Sequence, residues 1–306
     1  MLPAVEAWLT SRTSSAGDWP PARLLELKQD TTVSVVLPAR DERETVGEIV
    51  RVVLDELAGL VDEVVVIDSR SADDTAVVAA EAGAAVFAQD EILPDLKPLD
   101  GKGEALWKSL AVTSGDLVVF VDADIRKFRA EFVSGLLGPL LDDPSVVYVK
   151  GCYDRPLDGA PTGGGRVTEL VARPLINLHW PLLSGFIQPL SGEYAGRRSA
   201  LERVPFISGY GVELGLLVDL LDLAGLDALA QVDLGSRAHS HQSTEALGGM
   251  AAQIMLAAWS RLERQGKMVA VEEPATRLTQ FRRAGSGHEL RIRDISIAER
   301  PPMLSL

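Results

Sequence analysis

Cysteine, histidine, aromatic side chains and positive charge are all in short supply in this sequence. Its single thiol, Cys152, rules out an internal disulfide and fits a reducing compartment; next to the apolar residues 146–149 it is expected to be a small core side chain. No stretch reaches the apolar length of a membrane span. MLPAVEAWLT, at the N-terminus, has neither the basic start nor the long apolar run of a secretion signal, so a cytoplasmic protein with no membrane partner is expected. Against 44 Asp and Glu stand only 30 Lys and Arg, a formal net charge of -14. That balance excludes a general nucleic-acid binder, which gains affinity by neutralising phosphates, and any anionic ligand must find a locally positive site.

What the chain does hold is 46% hydrophobic residues over 306 positions, enough for one large domain or two smaller ones. VSVVLP, EVVVID, AAVFAQ and LVVFVD are β-branched apolar runs of strand length, separated by helical patterns such as RETVGEIVRVVLDEL and GKGEALWKSLAVT. This alternation predicts βαβ units, a parallel sheet and ligands at the carboxyl ends of the strands. The chain divides into an N-terminal arm (1–30), a regular α/β half (31–150), a second half (151–265) opening near the Gly- and Pro-rich DGAPTGGGRVTEL, and a partly ordered tail (266–306). In the second half, ALAQVDLG reads as a strand and Thr244 to Arg264 as a long helix.

Polar clusters follow the apolar runs at once. In VVFVDADI, Asp122 and Asp124 stand at a strand end. A turn with Asp122 as a helix cap is the plain reading of this D-x-D. Two close carboxylates repel without a cation between them, however, and Mg²⁺ or Mn²⁺ with a substrate diphosphate supplies one. PARDE, containing Pro38, Ala39 and Glu42, reads equally well as a helix start with Glu42 near the positive dipole end or as a frame for a nucleotide base or ribose. In IDSRSADDT, Ser71 or Asp73 can cap a helix, while Asp68 and Ser69 stand ahead of the cap, within reach of a nucleotide.

Lys102, between Gly101 and Gly103 before a helix, opposes the helix dipole and calls for an anion; phosphate or ribose contact is expected. GGGRVTEL places Gly165, Arg166 and Thr168 at a helix start suited to a second phosphate or carboxylate, with a flexible linker as the plainer reading. His239 and His241 alternate in RAHSHQ, so both can face one site and one can complete a metal's ligands.

Taken in order, VVLPARDE, VVVIDSRSADDT, GKGEALW and VVFVDAD resemble the nucleotide-sugar-binding half of GT-A glycosyltransferases. APTGGGRVTELVARPL, QPLSGEYA, GYGVELGLL and QVDLGSRAH are similar to the glucosyl-3-phosphoglycerate synthases, a family that includes a mannosyl-transferring variant. The resemblance covers Val33 to Arg264. It implies an α/β, GT-A glycosyltransferase fold: a Rossmann-like, mostly parallel sheet with helices on both faces and a C-terminal acceptor-binding part. The activity it implies is a retaining transfer of glucose from UDP-glucose, or GDP-glucose, to the 2-hydroxyl of 3-phosphoglycerate. Mannose transfer from GDP-mannose is the alternative, and a non-catalytic nucleotide-sugar sensor a more distant one.

Residue by residue, the resemblance implies Mg²⁺ or Mn²⁺ on Asp124 and His239 with Asp122 beside ribose and metal. Donor contacts fall to Pro38, Ala39, Glu42, Ser69 and Lys102, with Asp68 added from its place at the strand end. Leu190, Tyr210, Glu213 and Arg237 match positions lining the sugar and acceptor pocket. Gly165, Arg166 and Thr168 match the acceptor-phosphate site. Asp124, Glu213 and Arg166 are the expected catalytic residues. Arg70 in place of a small residue, and Asp41 and His241 in place of Asn, depart from the family pattern around the donor. A homodimer is expected as the commonest assembly of soluble homo-oligomers.

Overall fold

The computed structural model describes residues 1–157, 160–163, 165–237 and 243–306. In chain order the first half holds α1 (Pro3–Arg12), β1 (Thr13–Ser15), α2 (Pro21–Lys28), β2 (Val33–Ala39), α3 (Val46–Glu56), β3 (Glu63–Asp68), α4 (Thr75–Glu81), β4 (Ala85–Ala88), α5 (Lys102–Ser109), β5 (Leu117–Phe120) and α6 (Glu131–Asp142). Then come β6 (Tyr148–Asp154), the short β7 (Pro156–Leu157) and β8 (Ala160–Gly163), α7 (Arg173–His179), β9 (Tyr194–Arg197), α8 (Arg198–Leu201), β10 (Phe206–Ile207), α9 (Val212–Ala224), β11 (Leu229–Ser236) and α10 (Thr244–Arg264). The C-terminal region adds β12 (Arg277–Ala284), β13 (Gly287–Asp294) and β14 (Glu299–Arg300).

Eight strands form one sheet in the order β1-β11-β6-β9-β5-β2-β3-β4. All neighbours run parallel except β9, which is antiparallel to both β5 and β6. The chain moves outward from β2 through β3 to β4, then returns to place β5 on the other side of β2. That reversal opens a crevice at the carboxyl ends of β2 and β5, where α/β sheets bind ligands. Alternation along each strand feeds two cores. Val35, Leu37, Val64, Val66 and Val119 face one layer with α3 and α6, and Val36, Val65, Ile67, Val118 and Phe120 face the other with α5 and α9. Each such fully buried side chain contributes about 2 kcal/mol relative to exposure.

Both ends of the chain are more ordered than their sequence suggests. The expected arm carries β1, which extends the main sheet by pairing with β11, and Trp8 donates its indole N–H to the Leu229 carbonyl at 2.7 Å. A three-residue strand leaves no periodic signal in a sequence. In the expected partly ordered tail, β12 and β13 pair over their full length, and β14 pairs with β10. Arg300 forks onto Glu104, at 2.7 and 2.6 Å, inside the protein. Trp107 Nε1 donates to the Pro301 carbonyl at 2.8 Å. The tail is held because it satisfies buried polar groups of α5 that local sequence gives no hint of. Cys152 is buried and free, its thiol pushed up to about 12 by burial, as a core side chain should be. Among the described residues no helix is long and apolar enough to cross a membrane.

Candidate active site

At the carboxyl ends of β2 and β5 lies a cavity of about 620 Å³. From β2 and the residues after it come Pro38, Ala39, Arg40 and Glu42; after β3, Ser69; at the start of α5, Lys102; after β5, Asp122 and Asp124. The loops bearing these residues are tied together. Thr45 Oγ1 donates to the Ala123 carbonyl at 2.6 Å, and the Glu42 N–H donates to Thr75 Oγ1 at 2.8 Å. The cap read for IDSRSADDT does not form as expected: Asp74 holds the N-cap position with no side-chain cap bond, and Asp73, one residue earlier, accepts the Thr75 N–H on Oδ1 at 3.0 Å. Asp68 takes a turn role instead of a cavity one: its Oδ2 accepts the Ser71 N–H at 3.2 Å, and it does not line the cavity.

The opposite wall comes from the second half of the chain. Gly165, Arg166, Thr168, Leu190, Tyr210, Glu213 and Arg237 all line the same cavity, so the two clusters that sequence placed in separate halves meet in space. Gly165 has φ +78°, a left-handed backbone suited to glycine, ahead of a π-helical turn at Thr168–Ala172. Arg166 donates to Thr244 Oγ1 at 3.2 Å, which fixes it to the start of α10. His239 and His241 lie outside the described residues.

Electrostatics bind the two walls. Lys102 Nζ is 2.5 Å from Asp122 and 3.0 Å from Glu213, so the anion its helix-start position called for is supplied by the protein itself. Burial opposes its charge, yet Asp122 and Glu213 hold the ammonium above the ordinary lysine range. Arg237, almost fully buried, donates to Asp124 at 2.6 Å and to Asp122 at 3.1 Å, and faces Glu193 at 3.4 Å. Burial would raise the Asp122 carboxyl, but Lys102 and Arg237 outweigh it and keep the group ionised well below the usual range. Glu42 is driven the other way, to about 7, by burial first and then by the charges of Asp124 and Asp122. Gly192 is required at this point because a Cβ there would run into the Asp122 carboxylate.

Sequence reasoning missed several lining residues. Arg155 adds a cation beside Gly165, and α10 supplies Leu247, Met250, Gln253 and Ile254. Arg155 follows β6 at a strand end, the signal that should have found it; the α10 face carries no chemical motif at all. Two departures from the family pattern acquire a physical reading. Asp41 and Arg70 have φ of 57° and 62°, so a residue that tolerates the left-handed region is needed at each. Arg70 pairs with Asp90, at 2.6 Å, and with Asp100. It restrains the strand-end loop that leads into Lys102.

The donor set suits a hard divalent cation. Asp122 and Asp124 offer carboxylate oxygens at the cavity floor, and Asp124 is the more exposed, at 38% against 22%. Among the described residues no cluster of three or more His, Cys, Asp or Glu gathers as a metal site, and His239, the other expected ligand, lies outside them.

A family model described as glycosyl transferase family 2 matches residues 34–204, over half of the chain. The chain belongs to glycosyl transferase family 2. Its sequence is 47% identical over 303 residues to the glucosyl-3-phosphoglycerate synthase of Mycolicibacterium smegmatis, covering 98% of each chain. The solved mannosyl-3-phosphoglycerate synthase of Rubrobacter xylanophilus superposes on this glycosyltransferase with a TM-score of 0.92 at 40% identity, covering 98% of this chain and 99% of that one. Glucosyl-3-phosphoglycerate synthase from Mycobacterium tuberculosis, solved with Mn²⁺, UDP-glucose and phosphoglyceric acid, gives a TM-score of 0.85 at 42% identity, covering 96% of this glycosyltransferase and 98% of that chain. The expected α/β, mostly parallel GT-A architecture is therefore the one this glycosyltransferase has.

Proposed function

We propose that this glycosyltransferase moves glucose from UDP-glucose to the 2-hydroxyl of 3-phosphoglycerate with retention at the anomeric carbon, using Mg²⁺ or Mn²⁺. The observation that carries the reading is one cavity with an acidic floor, Asp122 and Asp124, facing a cationic wall, Arg155, Arg166 and Arg237. One side suits a metal-bound diphosphate, the other a small phosphorylated acid. The relatives support the same pair of ligands, since the Mycobacterium tuberculosis synthase was solved with UDP-glucose and phosphoglyceric acid together.

A metal held by Asp122 and Asp124 would supply Lewis acidity toward the leaving diphosphate. The protein's own groups do the rest. Lys102 and Arg237 add fixed positive charge where the nucleotide departs. Arg166 and Thr168 hold the acceptor phosphate so that its hydroxyl lies beside the anomeric carbon, and positioning then supplies much of the acceleration. Glu213 is held in an ion pair by Lys102, which ties up its carboxylate and favours attack from the face the leaving group vacates. On this reading Glu213 orients sugar hydroxyls.

Nucleotide release should be measured with UDP-glucose and GDP-mannose, each with and without 3-phosphoglycerate. Acceptor-dependent release from UDP-glucose is expected; release without acceptor dependence, or from neither donor, sinks the proposal. Mannose transfer from GDP-mannose is the second reading, favoured by the superposition on the mannosyl enzyme, and the same assay separates the two.

A homodimer joined through the β12–β13 hairpin completes the proposal. Phe281 and Leu290 stand opposite each other, as do Thr279 and Ile292, on a face where Phe281 is 70% and Ile292 57% exposed. The hairpin has five arginines against two acidic residues in a chain of net charge -14, so an acidic second copy complements it. Light scattering of Phe281→Asp should give a monomer where the parent chain gives a dimer; a monomeric parent refutes the contact. A reducing, cytoplasmic setting agrees with the single free buried thiol.

A further inference from the structure

Arg155 and Arg237 reach the cavity from the ends of β6 and β11, which pair side by side, and both give an N–H to one atom. That atom is the hydroxyl oxygen of Tyr153, at 2.9 Å from Arg155 and 3.0 Å from Arg237. Tyr153 is 3% exposed and does not line the cavity. It lies on β6 with its ring in the core layer of α6, 6.4 Å from the ring of Phe132. The guanidinium carbons of Arg155 and Arg237 stand 5.1 and 5.6 Å from the centre of the tyrosine ring, so one side chain meets both cations with its oxygen and its ring.

Two guanidiniums repel, and the choice of group between them matters. A carboxylate there would neutralise one arginine. A phenol, which burial pushes up to about 12, stays uncharged, accepts from both and leaves their charge for a ligand. Each arginine also keeps a donor in reserve: among the described residues, the buried Nε of each has no hydrogen-bond partner. The two differ in how else they are held. Arg237 reaches Asp124 at 2.6 Å, Asp122 at 3.1 Å and Glu193 at 3.4 Å, and its backbone N–H donates to the Asp154 carbonyl at 3.1 Å. For the side chain of Arg155, the Tyr153 hydroxyl is the only hydrogen-bond partner among the described residues. Its stem runs beside the segment read as the acceptor-phosphate site, since a Cβ on Gly165 would stand 4.0 Å from Arg155 Cδ. The hydroxyl thus joins a cation fixed on the acidic floor to one that has no other anchor on the acceptor side.

We infer that Tyr153 is a positioning residue for the acceptor: its hydroxyl holds the Arg155 guanidinium at a set distance from Arg237 and so places it against the anionic acceptor. The inference rests on the donor and acceptor proposed above.

Tyr153→Phe in the full chain keeps the ring and removes only the oxygen. The KM for 3-phosphoglycerate should rise about tenfold, with kcat lowered less than about threefold. UDP affinity in Mg²⁺ should stay within about twofold, because Arg237 keeps its carboxylate partners. Arg155→Met should raise the same KM at least as far, and adding Tyr153→Phe to it should cost nothing more, since the hydroxyl acts through that guanidinium. A lower thermal midpoint with parental KM, losses that multiply in the double variant, or UDP affinity falling in step with KM overturns the assignment in favour of a packing role. Should Tyr153→Phe fail to fold, Arg155→Met with a parental KM still overturns it. Calorimetric titration of 3-phosphoglycerate into the chain holding Mg²⁺ and UDP reads the effect without turnover: binding about tenfold weaker in Tyr153→Phe is expected, and equal binding overturns the inference. A parent chain that binds 3-phosphoglycerate but transfers no glucose overturns the proposed function alone, and the titration then still decides for or against Tyr153. A parent that neither binds the acceptor nor transfers glucose overturns both.

Discussion

The wall built on β2, β3 and β5 and the wall built by residues 151–264 bring opposite charges to the same cavity by different routes. On the first wall the side chains follow their strands directly, so Glu42, Asp122 and Asp124 stand where a parallel sheet presents them. On the second wall they come from a strand end, a π-helical turn, a helix start and the residue after β11, with no common local pattern. The first wall is acidic and the second is mainly cationic, with Lys102 and Glu213 exchanged across the seam. Each wall holds charge that the other helps to neutralise, since Arg237 pairs with Asp122 and Asp124 and Lys102 with Glu213. The teaching is that the site and the packing of the two halves are one interaction.

The strongest break in this comparison is at Asp124. Asp124→Ala, or chelation of the metal, should lower turnover by about a thousandfold, with Mg²⁺ or Mn²⁺ restoring only the chelated protein; retained activity in a steady-state assay would remove the acidic wall from the chemistry. Arg237→Met should rank next. It leaves Asp122, Asp124 and Glu193 without their shared cation and should cost about 3–5 kcal/mol in urea unfolding. A loss below about 1 kcal/mol would mean that the walls are neutralised by solvent.

Arg166→Ala sharpens the division of labour between the walls. The KM for 3-phosphoglycerate should rise about 30-fold while UDP affinity, measured by calorimetry, stays within about twofold. Equal losses for both ligands would show that the cationic wall does not separate them. The smallest effect concerns Glu42. Its folded-state value, about 7, lies above the ordinary 4.5, so the folded protein loses stability as pH rises from 4.5 through 7. Glu42→Gln escapes that loss: its thermal midpoint relative to the parent should be higher at pH 8 than at pH 5, and a gap independent of pH would contradict the raised carboxyl.

Much of the fold was legible because it is local. β-Branched runs broken by amphipathic helices fix parallel strands, and the long helix Thr244–Arg264 stands where its periodicity put it. Most candidate site residues were legible too, from position at strand ends and helix starts. Asp68 serves a turn in place of the cavity, since a strand-end carboxylate suits a turn as readily as a ligand, and His239 and His241 lie outside the described residues. The tail and the arm were underestimated because their order comes from partners far along the chain, Arg300 with Glu104 and Trp8 with Leu229.

By itself the sequence determined the alternation of strands and helices, the acidic pair after β5, the glycine-led segment at 165–168 and the resemblance that joins them. Those are properties of neighbouring residues, set by periodicity, capping and turn chemistry. Only the tertiary structure decided which charges neutralise one another: Arg237 with Asp124 across 113 positions, and Lys102 between Asp122 and Glu213. Coulomb attraction and desolvation depend on distance and burial in space, and no one-dimensional pattern records either.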